Sequence, residues 1–274
     1  LGTADYNQQR LNQAWKRAIA HQFHDDMPGT SCQRVYKRSW NDLAMSMNQF
    51  TEELEAAVAP VSQLMKTDFC SGIPVMVYNS IESPRTGAVT VRLENTGAPY
   101  IRVYDEKGKE IKSQMKSTQD GKTEVVFVAE VPSLGTRIYD FRPSDKPCCV
   151  KSALSINTDN VMENQKYIVT LNRKGNITSI LDKEQDEREL LREPITLGLF
   201  NYTGSKDWPA WEMNYKEANK EADRIPNVVS VTIDEQGPAR VAFKVIQKDK
   251  KSTFTNIIAL TDGGKVVELS LIHI

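Results

Sequence analysis

The sequence predicts an α+β multidomain chain: an N-terminal antiparallel helical bundle segment followed by all-β sandwich domains. Three observations carry this. Apolar residues recur at three-and-four spacing through about residue 66, the period then changes to alternation, and turn-forming pairs punctuate the alternating part. At 274 residues the chain can bury a large core and divide further. The expected domains are a helical bundle at 1–66, a small β-sandwich at 67–150 and a truncated large β-sandwich at 151–274.

In the first helical segment Leu11, Ala14, Trp15, Ala18, Ile19 and Phe23 share one face. His24 projects nearly opposite that stripe, which argues against core packing, and His21 reads as solvated. Pro28-Gly29 forces a turn, after which Thr30 or Ser31 can cap the next helix. The second helix carries a seam of Tyr36, Trp40, Leu43, Met47, Phe50, Leu54, Ala57, Val61 and Leu64, stepping by three and four as in a small bundle. Core packing explains it better than a cofactor site. Pro60 should kink or end the helix near Ala59, because it lacks an N–H and clashes with the preceding turn.

From Thr67 the strands are expected at Pro74–Tyr78, Val89–Leu93, Ile101–Val103, Val125–Val128 and Thr136–Phe141. Turns are expected at Thr86-Gly87, Thr96-Gly97, Lys107-Gly108 and Asp120-Gly121. Such short, evenly spaced strands suggest an antiparallel sandwich, and Ser144 to Pro147 reads as a linker. Asn172 to Asn176 then turns a hairpin between Tyr167–Leu171 and Ile177–Ile180. Further strands are expected at Ile195–Tyr202, Val228–Asp234, Ala239–Gln247 and Thr253–Leu260, and a last one after Asp262-Gly263-Gly264.

Charge is balanced, with 35 Lys+Arg against 36 Asp+Glu and no block of one sign. That argues against nucleic acid or an acidic membrane as the main partner. The apolar runs are too short to span a bilayer. Leu1 is neither an initiator Met nor followed by a basic-then-apolar leader, so the compartment is not read from the N-terminus. Cys32, Cys70, Cys148 and Cys149 match neither a zinc ribbon nor a redox pair. Asn176-Ile177-Thr178 and Asn201-Tyr202-Thr203 fit the glycosylation acceptor pattern, which matters only in a eukaryotic secreted protein.

The stretch His21 to Ser31 gathers two His and two Asp at a backbone break between rigid helices. From the residues alone, His24 beside Asp25 is either a ligating pair or an ordinary surface pair at a helix end, and Asp26 before Met-Pro-Gly either joins that site or only stabilises the turn. Asp182, Asp207 and Glu212 are expected as turn or sheet-edge carboxylates rather than catalytic ones. Trp208 and Trp211 could stack on a sugar face, although core or interface packing is the simpler reading.

Five collinear motifs carry a resemblance. AWKRAIAHQFHDDMPG, ending at Gly29, resembles the helix and His-Asp-Pro-Gly turn of bacterial-type family 38 α-mannosidases. PVMVYNSIESPRTGAV from Pro74, EVPSLGTRIYDF from Glu130, LNRKGNITSILDKEQDERELL from Leu171 and DWPAWEMNY from Asp207 follow in the family's order. The resemblance implies an N-terminal α/β catalytic domain outside this chain, with the helical bundle and β domains inside it. The last residues, Leu269 to Ile274, depart from the pattern and resemble adapter read-through, so His273 is given no functional weight.

The resemblance further implies one Zn2+ ion, shared with the missing N-terminal catalytic domain, with His24 as one metal ligand and Asp25 as a substrate contact to mannose hydroxyls. It implies a retaining α-mannosidase acting on mannose-containing glycans, whose nucleophile and acid/base lie outside the chain, so that this chain alone is inactive. The alternative from another class is a non-catalytic carbohydrate-binding or interaction protein built of a helical bundle and sandwiches.

Overall fold

Helix α1 (Gln8–Ala20) runs antiparallel to α2 (Gln33–Gln63), and polar pairs fix their register. Arg10 meets Glu52 and Glu53, Arg17 meets Gln49, and His21 meets Asp42. These contacts come from a computed structural model that describes residues 7–94, 96–117, 121–201, 205, 207–208 and 211–274. The side chain of Asn7 caps α1 by accepting from the Arg10 N–H, which satisfies one of the orphan donors of the first turn. The residues buried on the two helices are small: Ala14, Ser39 and Ser46. Trp15 meets Phe50 edge to face, with centroids 5.0 Å apart.

Several sequence expectations are corrected here. The first helix stops at Ala20, so the wheel does not extend to Phe23 or His24. Cys32, not Thr30 or Ser31, occupies the N-cap of α2, because the Thr30 hydroxyl is turned to Asp25. Pro60 lies inside α2, which ends at Gln63. Pro60 sits in the last turn of the helix and removes only the one N–H that would bond to the Ala56 carbonyl. Only part of the expected seam is covered: Tyr36, Leu43, Phe50 and Val61 are half-buried, while Trp40, Met47, Leu54 and Leu64 are exposed. Among the described residues α1 packs on one side of α2, whose buried positions are Ser39 and Ser46.

Unit 1 of the chain comprises residues 1–66 and 200–223, and unit 2 comprises residues 67–199 and 224–274. The strands of unit 2 are β1 (Ile73–Tyr78), β2 (Arg85–Leu93), β3 (Tyr100–Tyr104), β4 (Glu110–Ile111), β5 (Ser113–Ser117), β6 (Thr123–Val131), β7 (Thr136–Ser144), β8 (Ser155–Ile156), β9 (Val161–Glu163), β10 (Tyr167–Leu171), β11 (Ile177–Asp182), β12 (Arg188–Glu189), β13 (Asn227–Gln236), β14 (Arg240–Asp249), β15 (Ser252–Thr261) and β16 (Glu268–His273). All pair antiparallel, in sheets ordered β1-β7-β3-β4, β2-β6-β5, β12-β11-β10-β9-β8 and β13-β14-β15-β16. The first two sheets enclose one core, with Val103, Val125, Phe127, Tyr139 and Phe141 at its centre. The last two enclose another, around Met162, Val169, Val241, Phe243, Ile258 and Leu260. The chain is thus a helical segment followed by antiparallel sheets, as the change of period requires.

Thr86-Gly87 is not a turn but part of β2, paired with Ala129 and Glu130. Its glycine signal was outweighed by the nine-residue pairing with β6. Ile195–Tyr202 forms no strand among the described residues: Ile195 bridges Ile177 and Leu199 bridges Arg224. Tyr202 and Thr203, and with them most of one glycosylation triplet, lie outside the described residues, as does Asp120 of one expected turn. Among the described residues no helix is long and apolar enough to cross a membrane.

Candidate functional site

The His-Asp-Pro-Gly turn starts where α1 ends. Gly29 takes φ +90°, a left-handed conformation that reverses the chain after Pro28 at no side-chain cost. Within the turn, the amides of Asp26 and Met27 bond to the Phe23 carbonyl, and that of Gly29 bonds to the Asp26 carbonyl. The Ser31 N–H donates to the Tyr36 hydroxyl, tying the exit of the turn to α2.

His24 sits at the outer edge, its side chain 72% exposed, with Nε2 3.3 Å from Asp25 Oδ2. The Phe23 ring lies against it, centroids 4.2 Å apart. Asp25 is held in turn, since the Thr30 hydroxyl donates to its Oδ1 at 3.1 Å. The structure therefore brings the two sequence-designated residues together and leaves the imidazole accessible.

His21 is not solvated, which corrects the sequence expectation. Its side chain is 12% exposed and lies between Asp26 of the turn and Asp42 of α2. Asp26 also accepts from the Ser39 hydroxyl. Hydrogen bonding of the ring to Asp26, and less strongly to Asp42, raises the His21 pKa against the opposing effect of burial. Bonding from His21 and Ser39 holds Asp26 below the usual carboxylate range. Asp26 thus fastens the turn to α2. Sequence reasoning missed this because His21 and Asp42 become neighbours only through the register of the helix pair.

Asp182 takes a structural place. It is buried and accepts from the Glu184 N–H, capping a single turn of 3₁₀ helix. Trp208 and Trp211 are 56% and 59% exposed and stack on each other with planes 11° apart, so core packing does not describe them. His273 stacks on Phe254 within the β15–β16 pair. All four cysteines carry free thiols. Among the described residues, no group of three or more His, Cys, Asp or Glu converges in a way that could hold a metal ion.

Residues 1–61 match the family model of the alpha mannosidase middle domain, and residues 162–272 match that of the glycosyl hydrolases family 38 C-terminal domain. This is a family 38 glycosyl hydrolase chain. Solved structures agree with that fold. A crystal structure of an alpha-mannosidase from Enterococcus faecalis superposes with TM-score 0.67 at 13% identity, covering 97% of this chain and 37% of that one. A second structure from the same organism, of a protein in the glycosyl hydrolase family 38, gives TM-score 0.70 at 14% identity, with 98% and 39% covered. The family 38 chain described here therefore spans well under half the length of either. No curated protein matches it.

Proposed function

We propose that this chain supplies the middle and C-terminal portion of a retaining, zinc-dependent α-mannosidase that hydrolyses terminal α-mannosyl residues of glycans. The observation that carries the reading is the His24–Asp25 tip: an accessible imidazole with a carboxylate at its ring nitrogen, presented on a turn between two helices of a family 38 domain. Both domain matches are to models of this glycosidase family, which favours the enzyme over a non-catalytic sugar binder. The division into 1–66, 67–150 and 151–274 belongs to the same proposal.

The donor chemistry fits the ion. Imidazole nitrogen suits zinc, and a carboxylate against the ring fixes its tautomer and orientation. His24 would supply one ligand, and the rest would come from a catalytic domain elsewhere in the polypeptide, since no fuller set converges among the described residues. When bound, the ion supplies a Lewis-acidic hold on mannose hydroxyls near the oxocarbenium-like transition state. Asp25, oriented by Thr30, would accept hydrogen bonds from the sugar, and the Asp26–Ser39 pair would keep the tip fixed against α2.

The nucleophile and the acid/base would lie outside the chain. The purified chain, incubated with an aryl α-mannoside, should therefore show no turnover above background. Measurable hydrolysis would contradict this division of labour.

A further inference from the structure

A second histidine lies beneath the tip, and its surroundings assign it a task. Both ring nitrogens of His21 face carboxylates: Nδ1 is 2.5 Å from Asp26 Oδ2, and Nε2 is 3.2 Å from Asp42 Oδ2. A neutral imidazole has one N–H and can donate to only one of them. Satisfying both requires the doubly protonated ring, a cation clamped between two anions. The arrangement bridges three elements, because His21 caps α1, Asp26 belongs to the turn and Asp42 lies on α2.

We propose that His21 is a protonation-dependent latch: as imidazolium it ties the turn, and with it the His24–Asp25 tip, to α2, and on losing its second proton it releases one of the two carboxylates. His21 is a positioning residue that acts through Asp26, and the inference rests on the reading of His24 and Asp25 as the site. The charged groups facing the ring are Asp26 from the turn and Asp42 from α2, while Arg17 on its own helix is turned to Gln49. Ser39 also donates to Asp26 from α2, so the neutral ring leaves the turn one tie to that helix and the imidazolium adds a second. Because the folded pKa of His21 is raised, the latch is closed below the ordinary histidine value of 6.5 and opens as pH rises through the raised value.

The test is nitrogen-15 NMR of the imidazoles in the metal-free chain, combined with amide exchange at Asp26, Met27 and Gly29. His21 should titrate above its ordinary value of 6.5 and read as doubly protonated below it. Protection factors at the three amides, which are already corrected for intrinsic pH dependence, should fall about tenfold as His21 titrates, the scale of one lost charge-assisted hydrogen bond. Asp42→Asn keeps the side-chain shape and removes one anion. It should lower the His21 midpoint and move the loss of protection to lower pH by the same amount. A His21 that titrates at or below its ordinary value, or turn amides indifferent to that titration, would overturn the latch. Both readouts are metal-free, so a zinc content that ignored His24 would refute the metal assignment without touching this one.

Discussion

His24 and His21 lie three residues apart in opposite surroundings, one open at the tip and the other enclosed by two carboxylates. The enclosed pair makes a prediction at the residue scale. Asp26 has a lowered pKa, so its contribution to stability is complete above its ordinary value of 3.8 and is lost as pH falls through the folded value. His21 has a raised pKa, so its contribution is complete below 6.5 and is lost as pH rises through the folded value. The helix pair should therefore be most resistant to heat between those two values. Helical circular dichroism of the wild type against Asp26→Asn checks this: the excess stability of the wild type should peak inside the window, and a flat difference would refute it. The sequence showed that His24 is not a core residue, although by a wheel argument that the end of α1 at Ala20 invalidates. It could not show the role of His21, which depends on how two helices align.

At the scale of elements, alternation and turn chemistry were the legible signals. The β10–β11 hairpin formed where Asn172 to Asn176 indicated, with Gly175 in a left-handed conformation at φ +78°. A Cβ at that position would collide with the Val245 side chain on β14 as well as strain the backbone. Gly175→Ala should therefore destabilise unit 2 by about 2–4 kcal/mol in chemical denaturation; a loss within error of zero would contradict the packing described for this turn. Less legible were features where local preference yielded to neighbours. Pro60 is accommodated inside α2, Gly87 is paired within β2, and Ile195 and Leu199 form single bridges where a strand was expected. The pairing of Gly87 and the bridges of Ile195 and Leu199 each depend on a partner distant in sequence.

Across the whole molecule, the two β assemblies of unit 2 are joined by polar side chains rather than by a shared apolar core. Gln114 on β5 accepts from the backbone N–H groups of Ala239 and Arg240 and donates to Glu235, while Lys112 and Ser152 converge on Asp262. Such long-range contacts leave no local trace, so this attachment was not readable in the sequence. On the proposed reading the same limit applies to the site, of which this chain would furnish only a part; it spans 37% and 39% of the two Enterococcus faecalis chains. The most direct measurement is therefore zinc content and α-mannosidase turnover in the polypeptide that joins this chain to the family's N-terminal domain, with and without His24→Ala. The account predicts that the substitution removes the bound zinc and lowers turnover at least about a hundredfold. Zinc retained at one equivalent with turnover unchanged would contradict it.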